Sequence, residues 1–252
     1  MMKIGILREK KTPPDKRVPL SPKQCAVLLQ EYPHVDWVVQ KSPIRCFADE
    51  EYAQAGIQLV EDVSDCDVLL GVKEVPKSNL IGCKTYFYFS HTIKEQPYNR
   101  ALLKRMMELN ISMVDYETLT NSNGNRLIGF GRYAGVVGCY NGFLAYGKRT
   151  KRYDLKSAYK CFDRKEMEQE MSKIDLPNIK IILTGNGRVG RGALEIIHAL
   201  KLKEVSKEEF LTEYFNEPVF VHLNTMDYNA RKDGAPSSKS DFYINPKEYK
   251  ST

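Results

Sequence analysis

The stretch that most constrains the fold is residues 179–193, IKIILTGNGRVGRGA. A short apolar run, 179–183, reads as a buried strand. It breaks into Gly185-x-Gly187-x-x-Gly190, and Val189, Ala193, Leu194, Ile196, Ile197 and Leu200 follow at helical spacing. Strand, glycine turn and helix open a dinucleotide-binding βαβ unit. Gly185 allows the tight turn, Gly187 lets a pyrophosphate reach the backbone, and Gly190 lets helix and strand pack closely. The phosphates would lie on the free N–H groups at the helix start, where the dipole favours negative charge. Arg188 and Val189 complete the predicted cofactor contacts.

A chain of 252 residues makes one large or two ordinary domains. No apolar run approaches the roughly 20 residues of a membrane helix. The opening Met-Met-Lys-Ile-Gly-Ile is a strand pattern rather than a signal region. The expectation is a cytoplasmic protein with no membrane partner. The six cysteines are scattered, with no CxxC, and read as reduced and mostly buried. No metal site is expected. The net charge is +6, much of it in 148–165. Such a run is usually a solvated helix face, and no nucleic-acid partner is expected.

Strands are predicted at 3–7, 35–39, 68–72, 85–89, 111–114 and 219–223. Ser21-Pro22-Lys23-Gln24 carries an N-cap serine, a proline at the first helical position and a capping-box glutamine, so a helix runs to about Tyr32. Asp49 is predicted to cap a short helix ending at Gly56. Pro97 opens another, ending near Asn110. Asn123-Gly124 predicts a hairpin between 116–119 and 127–130. The glycine-rich segment 131–147 reads as a closely packed helix joining two domains, and 151–177 as a charged connection. Strands alternating with helices argue for a parallel α/β domain with its site at the carboxyl ends of the strands.

The polar residues at those ends are the candidates. Arg8 and Arg17 flank the first strand and loop, Lys73 follows the third strand, His91 follows Phe89-Ser90, and Glu117 follows Asp115-Tyr116. Arginine can hold a carboxylate through two parallel hydrogen bonds. Histidine can exchange a proton near neutrality, and so can a lysine made less basic by its surroundings.

Six motifs in order, LREKKTPPDKRVPLSPKQ (7–24), GVKEVP (71–76), FSHTIKEQ (89–96), DYETL (115–119), FGRYAG (130–135) and LTGNGRVGRGA (183–193), resemble the lysine-forming saccharopine dehydrogenases. These belong to the alanine dehydrogenase and transhydrogenase superfamily. The likeness is strongest to the lysine–ketoglutarate reductase half of the bifunctional aminoadipate semialdehyde synthase. The resemblance implies interconversion of lysine plus 2-oxoglutarate with saccharopine, by hydride transfer with NAD or NADP. It implies that Lys73 takes a proton from the amine and that His91 handles protons on the carbonyl and carbinolamine oxygen. Arg17 would contact a substrate carboxylate, and Glu117 would lie beside Lys73 and tune it.

The expected fold is a Rossmann-like substrate domain (1–130), a linking helix (131–150) and an incomplete dinucleotide-binding Rossmann domain (151–252). The second nucleotide strand ends at Asn224 rather than at a carboxylate. With Arg231 and Lys232 nearby, this leans towards NADP, although Asp227 could serve NAD. Residues 242–244 are a candidate further strand. The short nucleotide domain suggests truncation at Thr252. Two other readings remain: an alanine or related amino-acid dehydrogenase, and a non-catalytic nucleotide-binding module. A homo-oligomer is left open.

Overall fold

A computed structural model describes all 252 residues. The chain divides into two compact units, Met1–Gly129 and Phe130–Thr252. No helix is long and apolar enough to cross a membrane.

The first unit is built on a six-stranded sheet. Its strands are β1 (Met2–Ile6), β2 (Val35–Gln40), β3 (Gln58–Val60), β4 (Val68–Lys73), β5 (Thr85–Phe89) and β6 (Ser112–Asp115). They lie in the order β3-β2-β1-β4-β5-β6, and every pairing is parallel. Parallel neighbours need crossovers, and α1 (Pro22–Glu31), α2 (Asp49–Gln54) and α3 (Arg100–Glu108) lie on those connections. Strand alternation divides the core between the two faces. Ile6, Trp37 and Val39 pack with Cys25 of α1 and Tyr52 of α2. Val38, Leu69, Tyr86 and Tyr88 pack with Leu102 and Met106 of α3.

Local chemistry explains the helix starts. The Ser21 hydroxyl accepts from the Gln24 N–H, and the Gln24 side chain accepts from the Ser21 N–H, which is the expected capping box. Asp49 does not cap α2. Ala48 holds the cap position, and the Asp49 carboxylate instead accepts from the Ser42 N–H and pairs with Arg45. A 3-10 turn, Pro97–Asn99, precedes α3. The hairpin also changes form. The turn closes through Gly124 N–H to the Asn121 carbonyl, but only a single bridge, Thr120 to Arg126, forms. The Asn121 side chain takes the N–H groups of Asn123 and Asn125, so the segment satisfies itself as a loop.

The second unit holds a three-stranded parallel sheet, β7-β9-β8. It comprises α4 (Gly131–Thr150), α5 (Arg164–Met171), β7 (Lys180–Thr184), α6 (Arg188–Ala199), β8 (Lys203–Glu204), α7 (Lys207–Thr212) and β9 (Val219–Leu223). The glycine-rich helix α4 is part of this unit rather than a separate link. It crosses α6 closely. A Cβ on Gly135 would fall 1.9 Å from the Val189 carbonyl oxygen, and one on Gly192 would fall 1.9 Å from that of Arg132. The charged connection also folds, with Met167 and Met171 of α5 packing on Tyr140, Phe143 and Ile196.

The chain closes with β10 (Asn229–Arg231), α8 (Lys239–Ile244) and β11 (Tyr249–Ser251). Residues 242–244 are therefore helical, because the Ser238 hydroxyl caps α8 by accepting from the Asp241 N–H. Four cysteines are buried or half-buried, whereas Cys46 and Cys83 are exposed.

The helix crossing yields a paired prediction. Gly135→Ala forces backbone apart and costs about 1–3 kcal/mol of stability. Gly138→Ala, where an added Cβ meets open space, stabilises α4 by up to about 1 kcal/mol. Urea denaturation of the two variants checks both signs.

Candidate functional site

The sheet order of the first unit reverses between β1 and β4, and ligands of open α/β sheets bind at the carboxyl ends of strands at such a point. Arg8 and Lys73 stand at those two ends. Arg8 is half-buried, and its backbone N–H donates to Gln40. Lys73 lies in the field of Asp15, but neither Arg8 nor Lys73 is engaged in an ion pair. Arg17, in contrast, is clamped by the Asp15 carboxylate, with its Nε 2.9 Å from Oδ1.

The register between β4 and β5 shifts after Leu70, which pairs with Phe87, whereas Lys73 pairs with Phe89. Three steps along β4 face two along β5, so the strand bulges at Gly71-Val72. Bulges commonly re-aim a side chain beside a site. The Glu9 carboxylate receives the N–H groups of Val72 (2.7 Å) and Lys73 (3.0 Å). Glu9 is buried, and that burial raises its pKa against the opposing effect of the two bonds.

At the next strand ends, His91 adopts φ +57°, the left-handed region. The residues around it hold this conformation. The Ser90 N–H and hydroxyl both donate to Asp115, the Ser90 hydroxyl lies 2.7 Å from that of Thr92, and Asn99 donates to the His91 carbonyl. The other Asp115 oxygen accepts the Glu117 N–H at 2.8 Å. The Glu117 carboxylate then lies 3.0 Å from His91 Nδ1, 3.2 Å from Lys94 Nζ and 3.0 Å from Arg126.

Glu117 therefore pairs with the histidine, Lys94 and Arg126. Its side chain is only 5% exposed. Burial pushes its pKa up, but the hydrogen bonds from His91 and Lys94 outweigh that, and the net direction is down. A carboxylate on Nδ1 fixes that nitrogen as the donor and leaves Nε2 for chemistry.

Glu74 follows Lys73 and pairs with Lys11. Its Oε2 is buried without a donor. Burial would raise the Glu74 pKa, but Lys11 and then His91 bring it down. This rim thus combines unpaired cations, a histidine with a fixed ring nitrogen, and a carboxylate oxygen awaiting a donor. That set suits a substrate bearing carboxylates and an amine. Glu9, Glu74, Lys94, Asp115 and Arg126 were not among the sequence candidates. For Glu9, Glu74 and Asp115 the available signal was their nearness in sequence to Arg8, Lys73 and Glu117; Lys94 and Arg126 lie on a turn and a loop and offered none.

In the second unit Gly185 has φ +87°, and its carbonyl accepts from His222 at 2.9 Å. A Cβ on Gly190 would fall 2.0 Å from the Gly185 oxygen, while one on Gly187 would meet nothing. Gly187 is the N-cap of α6 with no side-chain cap, and Val189 lies exposed on the first turn. Together with Arg188 these residues form a cradle that fits a pyrophosphate. At the end of β9, the Asn224 N–H donates to the Asp227 carboxylate. Arg231 is held by Asp233 and Asp241, and Lys232 donates to the Lys247 carbonyl. The two basic residues expected near the ribose are therefore already engaged.

Residues 5–137 match the alanine dehydrogenase/PNT N-terminal domain family, and the chain belongs to it. Alpha-aminoadipic semialdehyde synthase of Rattus norvegicus is 31% identical over 245 residues, covering 87% of this chain and 26% of that protein. The lysine-forming, NAD(+) saccharopine dehydrogenase of Yarrowia lipolytica is 28% identical over 259 residues, covering 95% of this chain and 65% of that one. The chain thus spans about a quarter of the length of the synthase. An L-alanine dehydrogenase structure aligns with TM-score 0.58 at 17% identity, covering 90% of this chain and 62% of that one, which shows a shared fold.

The Glu117 cluster makes a stability prediction. Glu117→Gln costs about 1–3 kcal/mol near neutral pH. Because the folded carboxyl titrates below its ordinary range, the difference is full above that range and fades as pH falls through it. Denaturation of both proteins from neutral to about pH 3 measures this.

Proposed function

We propose that the chain carries the substrate and cofactor sites of a saccharopine dehydrogenase-like oxidoreductase, joining lysine and 2-oxoglutarate with a nicotinamide cofactor. The observation that carries this reading is the placement of Arg8, Lys73 and His91 at the carboxyl ends of three adjacent parallel strands, with Arg8 and Lys73 free of ion pairs. The similarity to aminoadipate semialdehyde synthases and saccharopine dehydrogenases supports it.

Arg8 binds a carboxylate of the keto acid, with Arg17 a further contact if its clamp on Asp15 opens. Lys73 accepts a proton from the incoming amine, and the Glu74 oxygen takes an N–H of the same group. His91, with Nδ1 held by Glu117, presents Nε2 to the carbonyl oxygen and supplies the protons that let it leave as water. The nicotinamide, when bound, supplies the hydride that reduces the resulting C=N bond. Gly185, Gly187, Arg188, Val189 and Gly190 would hold its pyrophosphate, and Asn224 would face the ribose. Asn224 favours NADP because it brings no negative charge towards a 2′-phosphate. Arg231 and Lys232 lend that preference little, being held elsewhere.

Three measurements follow. NADPH consumption with lysine plus 2-oxoglutarate is expected to exceed that with pyruvate plus ammonia. The reverse result would assign an alanine-type dehydrogenase. Lys73→Met and His91→Gln each lower turnover by about a hundredfold or more, with cofactor affinity unchanged. Separately, Asn224→Asp is expected to weaken NADPH binding relative to NADH in a fluorescence titration. Equal effects on both cofactors would remove the NADP assignment.

A further inference from the structure

Where β4 bulges at Gly71-Val72, its ladder with β5 is interrupted, and the N–H groups of Val72 and Lys73 turn elsewhere. Buried N–H groups need acceptors. Both are met by one side chain, with Val72 on Glu9 Oε1 and Lys73 on Oε2. Glu9 comes from the end of β1, the neighbour of β4 on its other side, so the carboxylate spans the switch point from outside the ladder. The carboxylate lies against the bulge itself: a Cβ on Gly71 would stand 3.4 Å from Oε1, at ordinary contact distance. Burial disfavours the charged form of Glu9 while the two backbone N–H groups favour it, and a neutral acid would offer one good acceptor in place of two.

We propose that Glu9 is a positioning residue for Lys73: its buried carboxylate clamps the β4 bulge and thereby sets the direction of the lysine side chain. The inference rests on the reading that Lys73 acts in the site, but the clamp itself is testable without turnover. Glutamine at position 9 keeps one acceptor and turns an N–H₂ group towards the second backbone donor. Aspartate keeps the charge but withdraws it by one methylene. Both substitutions release one of the two bonds while leaving every group that would touch substrate in place.

The test compares the 252-residue protein with Glu9→Gln and Glu9→Asp by amide hydrogen exchange and by steady-state kinetics with lysine, 2-oxoglutarate and NADPH. The expected result is exchange at Val72 or Lys73 faster by about tenfold or more, with Leu69 and Leu70 unchanged. kcat is expected to fall by a similar factor while the KM for NADPH stays constant. Residual turnover of Lys73→Met is expected to fall no further when Glu9→Gln is added.

Unchanged exchange at both amides in whichever variant folds would overturn the clamp. Accelerated exchange with an unchanged kcat, or an equal further loss in the Lys73→Met background, would overturn its role in aiming the lysine. If the wild-type protein turns over none of these substrates, the functional reading fails, and exchange alone decides the clamp.

Discussion

Parallel pairing is the constraint on which the first unit depends. Six strands running one way bring all their carboxyl ends to one edge, and the order reverses between β1 and β4, the point at which open α/β sheets bind ligands. At that edge the ladders stop, so backbone N–H groups must find other acceptors. Carboxylates supply them. Glu9 takes two at the end of β4, and Asp115 takes those of Ser90 and Glu117 at the ends of β5 and β6. The same groups that finish the sheet therefore set the directions of Lys73, His91 and Glu117. Structural satisfaction and chemical placement are one arrangement.

The second unit depends on a different contact, backbone against backbone where α4 crosses α6. Gly135 and Gly192 leave no room for a side chain there. Around the crossing, Glu195 of α6 receives Arg132 of α4 and Arg164 of α5, and these arginines hold its carboxyl at about 2, far below the usual range. Both interactions brace the helix that follows the Gly185–Gly190 turn. A surface ion pair by itself contributes little, so the close packing of the two helices contributes more.

Much of this was legible because the signals were local. The apolar runs of β5 and β9 matched their strands from end to end, and Ser21 to Gln24 announced its capping box. The Gly185–Gly190 turn was legible for the same reason. What escaped depended on partners distant in sequence or on competing local bonds. β3 has three residues and exists through its pairing with β2. In the 121–125 turn the Asn121 side chain takes the Asn123 and Asn125 N–H groups, and only one ladder bridge forms beyond it. Helix α5 was hidden in a charged stretch, because two methionines suffice to bury it. In the site, Arg8, Lys73 and His91 could be placed by counting from strand ends. The partnership of Glu117 with His91, the clamp of Arg17 by Asp15 and the role of Glu9 could not, since each needs the register between strands or the path of a loop.

The central claim is that the carboxyl edge of the first sheet, at β1, β4 and β5, receives the keto acid. The most direct measurement is a titration of 2-oxoglutarate into the isotopically labelled protein, followed by amide and side-chain NMR shifts. The account predicts saturable shifts concentrated at Arg8, Lys73, His91 and Glu117, and their loss in Arg8→Gln. Shifts confined to the opposite edge of the sheet, or saturation unchanged by Arg8→Gln, would contradict it.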